Sequence, residues 1–386
     1  MLVQVWRVLH QPRVWLTVEP VLFLYMFSNF LSYSSLQEFL EYLICSHTKN
    51  CTLSANMNTT KTCEVVRAVE QQVQTETSHW LIYLNLASGI PSILMSLLYG
   101  SLSDQLGRKL FIILPAVSAT FHAAIVLQLV YLRDDLPISF LLIGSLVVGF
   151  FGNFSVINFA VYSYASDVSA HTGRTRQIGI LESMTYIGGT LSLVLGGTWI
   201  KNLQTYSPPF WCIIACNLVI IVYVIVALPE SWTLSQRSGM NLQTDYSRSS
   251  GVKRLFRSIG KNFTDYLTLL LTSWRLVVLM MIFFVVEVNF LGISDVVILY
   301  SLGEPLCWAS DFIGYFLALK LFFNGLALLV VLPILLVIGL SDAIIIILGL
   351  ISGSTALIIM GLSTHTWMMF LGKAAREIDI CIIINI

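Results

Sequence analysis

Charge is scarce in this chain. Only 11% of its 386 residues are Asp, Glu, Lys or Arg, against about 25% in an ordinary soluble domain. The 21 basic residues balance the 21 acidic ones. No excess positive charge is left to hold a polyanion, and the basic residues fall in short stretches between apolar runs, which argues against a nucleic-acid partner. None of the seven cysteines has zinc-finger spacing. A phosphate loop, a metal-ligand cluster and a nucleophile with partners are missing as well, so an enzyme is not expected and no cofactor is called for. Gly188-Gly189 and Gly196-Gly197 lie in an apolar run and read as helix-packing positions. Residues 1–18 carry Arg7, His10 and Arg13 but no long apolar core before Glu19-Pro20. They read as a cytosolic lead into a first span, not as a cleavable signal peptide.

What the chain has is apolar surface. Hydrophobic residues make up 56% of it, and its mean hydropathy is +0.82. A soluble fold has too little interior for this, but lipid can cover it. Crossing the hydrocarbon core takes about 20 mostly apolar residues. Segments 21–40, 80–100, 110–132, 138–164, 178–200 and 210–228 qualify. A polar linker over 231–275 follows, then 276–300, 312–340 and 343–362, with a further span starting near Trp367. The expected organisation is an N-terminal bundle over 1–230, a cytosolic linker, and an incomplete C-terminal bundle over 276–386.

Basic residues fix the orientation. Arg7, Arg13, Arg108, Lys109, Arg174, Arg176, Lys253 and Lys261 fall on one side if spans alternate, and that side is the cytosol. Segment 41–79 then faces outward. It carries two glycosylation sequons, at Asn50 and Asn58. The similar triplet at Asn153 sits inside a span and that at Asn262 on the cytosolic side, so neither is expected to carry glycan.

Between the second and third spans lies Gly100-Ser-Leu-Ser-Asp104-Gln-Leu-Gly107-Arg108-Lys109. Gly100 suits close helix approach, Asp104 a helix end or an ion pair, and Gly107 a turn. Ionisable groups inside spans are costly and suggest function. Glu182 lies in the fifth span with no Lys or Arg within a helical turn, which makes it a candidate proton carrier. Glu287 and Asp295 are eight residues apart in the seventh span, roughly on one face. Lys320 in the eighth is a candidate partner for a substrate carboxylate.

The spacing G-x-x-x-D-x-x-G-R-K resembles the signature of the major facilitator superfamily. Four further pieces resemble the proton-coupled folate transporter family, solute carrier family 46. They are Val18-Glu19-Pro20, Thr77-Ser78-His79-Trp80, the stretch from Asp167 through Arg174, Arg176 and Glu182, and Pro305-Leu306-Cys307-Trp308 with the residues up to Tyr315. The resemblance implies an all-α membrane protein of two six-helix bundles and twelve spans, of which this chain carries about ten. A C-terminal truncation is therefore expected. It implies a secondary active transporter, a proton-coupled symporter of organic anions such as folate-like carboxylates. The alternative is a truncated, non-transporting membrane glycoprotein or regulatory isoform.

By the same resemblance, Glu182 matches a glutamate linked to proton coupling. Gly100, Asp104, Gly107, Arg108 and Lys109 form one cytosolic gate cluster, and Asp167 with Arg174 and Arg176 a second. Cys307 matches a cysteine bonded to one in the first outward segment, with Cys63 the chosen partner and Cys51 or Cys45 the alternatives. Where the family carries an aspartate in the fourth span this chain has Asn153, and where it carries a histidine in the seventh it has Asn289 or a neighbour. Those departures leave proton coupling in place and argue against folate itself. Asn153, Glu287, Asn289, Asp295 and Lys320 are the substrate-cavity candidates. The expected partners are protons, a small anionic solute and the bilayer. The expected location is the plasma membrane, with a lysosomal or endosomal membrane as the other candidate.

Overall fold

The first helix, α1, runs Glu19–His47. Its start is set locally: the Glu19 carboxylate accepts the Val18 N–H at 3.0 Å, and Pro20, lacking an N–H, costs nothing in a first turn. The computed structural model describes residues 18–47, 63–132, 136–168, 174–203, 205–229, 268, 273–282, 284–285, 288, 310–331, 334, 342–363 and 365–372. Beyond α1 the helices are α2 (Cys63–Leu106), α3 (Arg108–Tyr131), α4 (Phe140–Phe150), α5 (Asn153–Val168), α6 (Arg174–Leu203) and α7 (Ser207–Val226). Then come α8 (Ser310–Leu326), which runs on into a π-helical turn over Ala327–Val331, and α9 (Asp342–Gly361). No strand occurs among the described residues, in keeping with the all-α expectation.

Two compact units are formed. One comprises Met1–Ser231, Ala318–Leu350 and Glu377–Ile386, the other Trp232–Leu317 and Ile351–Arg376. In the first, α1 packs most extensively on α6, α3 on α7 and α2 on α4. Small residues permit the closest crossings. A Cβ on Gly188 would stand 2.9 Å from the Phe23 carbonyl oxygen, and one on Gly149 2.5 Å from that of Ser88. The Gly188 crossing is the packing role read from its sequence. In the second unit Phe316 meets Phe370 edge-on at 5.2 Å, and Ala356, Met360 and Met369 are buried.

The outside of the first unit is apolar. On α2 the residues Ile82, Leu86, Ile90, Ile93, Leu94 and Leu97 are all more than half exposed, an apolar stripe at helical spacing of the kind that lipid or another helix covers. Five described helical segments are long and apolar enough to cross a membrane: Val73–Gly100, Arg108–Tyr131, Phe140–Val168, Gln177–Gly196 and Ser207–Val226. Segment 21–40, expected as the first span, is helical but is not among them. The physical reason is its position. α1 is the innermost helix, with Leu22, Met26, Leu31 and Leu40 fully buried, and Ser28, Asn29, Ser32 and Ser35 in its middle lower its hydropathy.

Two further differences from the sequence reading concern local structure. Segment 41–79, expected to face outward, is helical at both ends, because α1 continues to His47 and α2 begins at Cys63. The expected fourth span is broken: α4 ends at Phe150, and α5 restarts at Asn153 after Gly152 turns at φ 89° and Asn153 itself at φ 48°. Glycine and asparagine are the residues that tolerate that left-handed region. The carbonyls freed by the break are covered from α2. The Tyr99 hydroxyl donates to the Phe150 carbonyl and the Ser92 hydroxyl to that of Gly152, both at 2.9 Å. Inside a membrane such groups need protein partners.

Candidate functional site

The interruption between α2 and α3 puts Arg108 in reach of the end of α5. Gly107 stands at φ 100°, so the chain turns there in a conformation a side chain would oppose. The Arg108 Nε then lies 3.1 Å from Asp167 Oδ2 at the end of α5. Its Nη1 donates to the Ser103 hydroxyl at 2.5 Å, and its guanidinium sits over the Phe159 ring, 5.8 Å from the centroid. The Arg108 side chain is only 8% exposed and that of Asp167 24%, so the pair is screened by water mainly from the acid's side. It joins the two cytosolic clusters expected separately. Asp167, placed by the sequence reading with Arg174 and Arg176, meets Arg108. The side chains of Asp104, Arg174 and Arg176 lie outside what is described, and Lys109 is half-buried. Gly100 corrects its expectation: a Cβ there would meet nothing within 4 Å, so it holds no helix crossing open.

Midway through the first unit lies a cavity of about 140 Å³. α1 contributes Asn29 and Ser32, α2 Asn85 and Ser88, α3 His122, α4 Ser145 and α5 Asn153. The break before Asn153 is what places its carboxamide at the head of α5 and in this lining. Among the described residues, no Asp, Glu, Lys or Arg lines the cavity. Deeper still, Asn217 of α7 donates to the Ser28 hydroxyl at 3.2 Å and to the Ile213 carbonyl at 2.8 Å.

Glu182 is half-buried in the first third of α6. The Tyr162 hydroxyl of α5 lies within electrostatic reach of its carboxyl. Lys320 is buried on α8. One turn farther along, Asn324 is fully buried and neither atom of its carboxamide has a hydrogen-bond partner. Glu287, Asn289, Asp295 and Cys307 lie outside the described residues, as do Asn50 and Asn58. Cys63 opens α2, with its side chain undescribed. Cys45, one of the alternatives to Cys63 as the partner of Cys307, is disulfide-bonded.

At the outward end of α1, acids and phenols crowd together. The Tyr206 ring stacks obliquely on Phe39 and Tyr42, with centroids 5.5 Å and 5.2 Å away. Burial pushes the Tyr206 phenol up to about 12, helped by Glu38, Tyr42 and Glu41. Burial also raises the Glu41 carboxyl, and a hydrogen bond from Gln37 partly offsets it.

His122, Asn85 and Tyr162 were not singled out from sequence. For His122 a signal existed, since it is an ionisable group within an apolar span and falls under the rule that picked out Glu182. Asn85 and Tyr162 carry no such mark, because only the bundle brings them to a cavity and to Glu182.

Comparison with known proteins places this geometry. The rat proton-coupled folate transporter is 31% identical over 247 residues, 64% of this chain and 51% of the relative. The human lysosomal proton-coupled steroid conjugate and bile acid symporter SLC46A3 is 27% identical over 309 residues, 78% of this chain and 64% of the relative. The chain thus spans about half the length of the folate transporters it matches. Among solved structures, the human organic anion transporter MFSD10 matches with a TM-score of 0.60 at 14% identity, covering 95% of this chain and 83% of that one. The proton:xylose symporter XylE matches with a TM-score of 0.56 at 13% identity, covering 95% and 80%. At such identities the likeness is one of fold. The profile of the Major Facilitator Superfamily, a superfamily of transporters and not of enzymes, matches residues 19–386. Helical bundle, fold neighbours and profile agree: this chain belongs to the Major Facilitator Superfamily.

Proposed function

We propose that the chain is a proton-coupled symporter of organic anions, amphipathic carboxylates of folate-like kind. The observation that carries this reading is Glu182, a half-buried carboxyl in the first third of an apolar helical segment with a phenol in reach of its charge. A carboxyl so placed changes the charge of the bundle interior when it takes or loses a proton. That change biases the balance between outward and inward states. Relatives whose names join protons to folate, or to steroid conjugates and bile acids, support the same reading. The Arg108–Asp167 pair serves as a cytosolic latch, closed in one state and broken in the other. Binding takes place near the bilayer midplane, and rocking exposes the site to each side in turn. The membrane is one with acid on the outward side, and we place the chain at the plasma membrane.

The test is uptake of labelled methotrexate by cells carrying the protein at their surface, at about pH 5.5 and about pH 7.5. Acid-stimulated uptake is expected, with Glu182→Gln losing the acid stimulation. Uptake indifferent to both pH and this substitution would sink the proposal.

A further inference from the structure

The described residues that line the cavity of the first unit carry no carboxylate, ammonium or guanidinium, and that limits what it can hold. At about 30 Å³ per molecule of liquid water, 140 Å³ is room for a few waters or one substituted six-membered ring. A carboxylate entering it would leave its water shell and meet no cation in return, which is costly. The lining offers hydrogen bonds of both senses instead. Asn85 and Asn153 each bring a donor and an acceptor. The Ser88 hydroxyl spends its proton on the Asn85 carbonyl at 3.3 Å and so turns its lone pairs outward.

His122 is the distinctive member of this lining. Its imidazole has no hydrogen-bond or charged partner among the described residues, burial being the sole influence on it. The ring lies over Gly144, where a Cβ would come 2.9 Å from His122 Cδ2, so α4 holds it in place through the lack of a side chain. No carboxylate is among the described lining residues. The neutral ring offers one N–H and one lone pair.

We propose that His122 selects the solute in a subsite for an uncharged, ring-sized polar group, one bearing hydroxyls or an amide-like donor and acceptor, while the solute's carboxylate is seated outside this cavity. The inference rests on the transport reading only in taking the ligand to be the transported solute.

Binding can be measured without a gradient, as thermal stabilisation of the purified full chain in lipid nanodiscs at about pH 7.5. Uridine, nicotinamide and methyl glucoside are the neutral ring probes, and benzoate the charged one. At least one neutral probe is expected to stabilise the protein, and benzoate not. His122→Leu keeps the bulk without the hydrogen bonds and should weaken binding about tenfold. His122→Gln, which keeps a donor and an acceptor, should stay within about threefold. Gly144→Ala, which pushes the ring into the cavity, provides a second weakened variant should the leucine variant fold poorly. Stabilisation by benzoate alone, unchanged binding in both weakened variants, or no response to any neutral probe would overturn the inference. Loss of acid-stimulated uptake with intact neutral binding would overturn the symport reading alone.

Discussion

Asp167 and Arg108 hold each other across the cytosolic end of the bundle, and their burial is unequal. Asp167→Asn takes from a guanidinium that is 8% exposed the carboxylate 3.1 Å from it, though Ser103 and the Phe159 face remain. The expected cost is about 1–3 kcal/mol, read as a lower melting temperature of the purified protein together with reduced uptake. Removing both charges with Arg108→Met and Asp167→Asn should recover most of the melting temperature, because no unpaired charge is left, while uptake stays low. At this scale the sequence was a partial guide. It named Glu182 from a charge inside a span, and Arg108 and Asp167 from motifs that resemble gate clusters. It did not pair Arg108 with Asp167, since 59 residues separate them and only the fold closes that distance.

The α4–α5 element shows what local pattern could not reveal. Segment 138–164 reads as one apolar run, and a glycine within such a run costs only about 1 kcal/mol in a helix, so Gly152 gave no clear sign of a break. Its Phe150 and Gly152 carbonyls depend on Tyr99 and Ser92 from a different helix. The crossing that brings α2 near enough is made at Gly149. Gly149→Ala would drive a methyl to 2.5 Å from the Ser88 carbonyl oxygen, backbone against side chain, and should cost about 2–3 kcal/mol. The measurement is the yield and melting temperature of monodisperse protein. At the outward end of α1 the same reasoning gives a pH effect. Burial raises the folded-state affinity of Glu41 for a proton. Its contribution to stability is therefore present at low pH and is lost as pH rises through the folded value. Glu41→Gln should raise the melting temperature at about pH 7.5 and leave it nearly unchanged at about pH 4.

For the molecule as a whole, composition was the strongest guide. An apolar chain with little charge had to be a helical membrane bundle, and the superfamily followed from one loop and a few scattered motifs. What composition hid was which helix lies inside. α1 is largely buried and less apolar than the other spans because it lines a polar cavity with Asn29 and Ser32. Orientation yields a prediction at this scale. Segment 48–62 is expected to face outward, so Asn50→Gln and Asn58→Gln should each remove one glycan, seen as a stepwise gain in gel mobility that endoglycosidase treatment abolishes. Asn153→Gln should change nothing, because that position is built into the cavity wall.

α2 has one more consequence. At 44 residues it is about 66 Å long, and about half of that exceeds the hydrocarbon thickness. It is a lever with unequal arms. A tilt of about 10° about its cytosolic end carries its far tip by about 11 Å, by the geometry of so long a rod. If the bundle rocks as proposed, the motion is magnified at that tip, and a large ligand gripping it would act as a brake on the proposed cycle while touching nothing in the cavity.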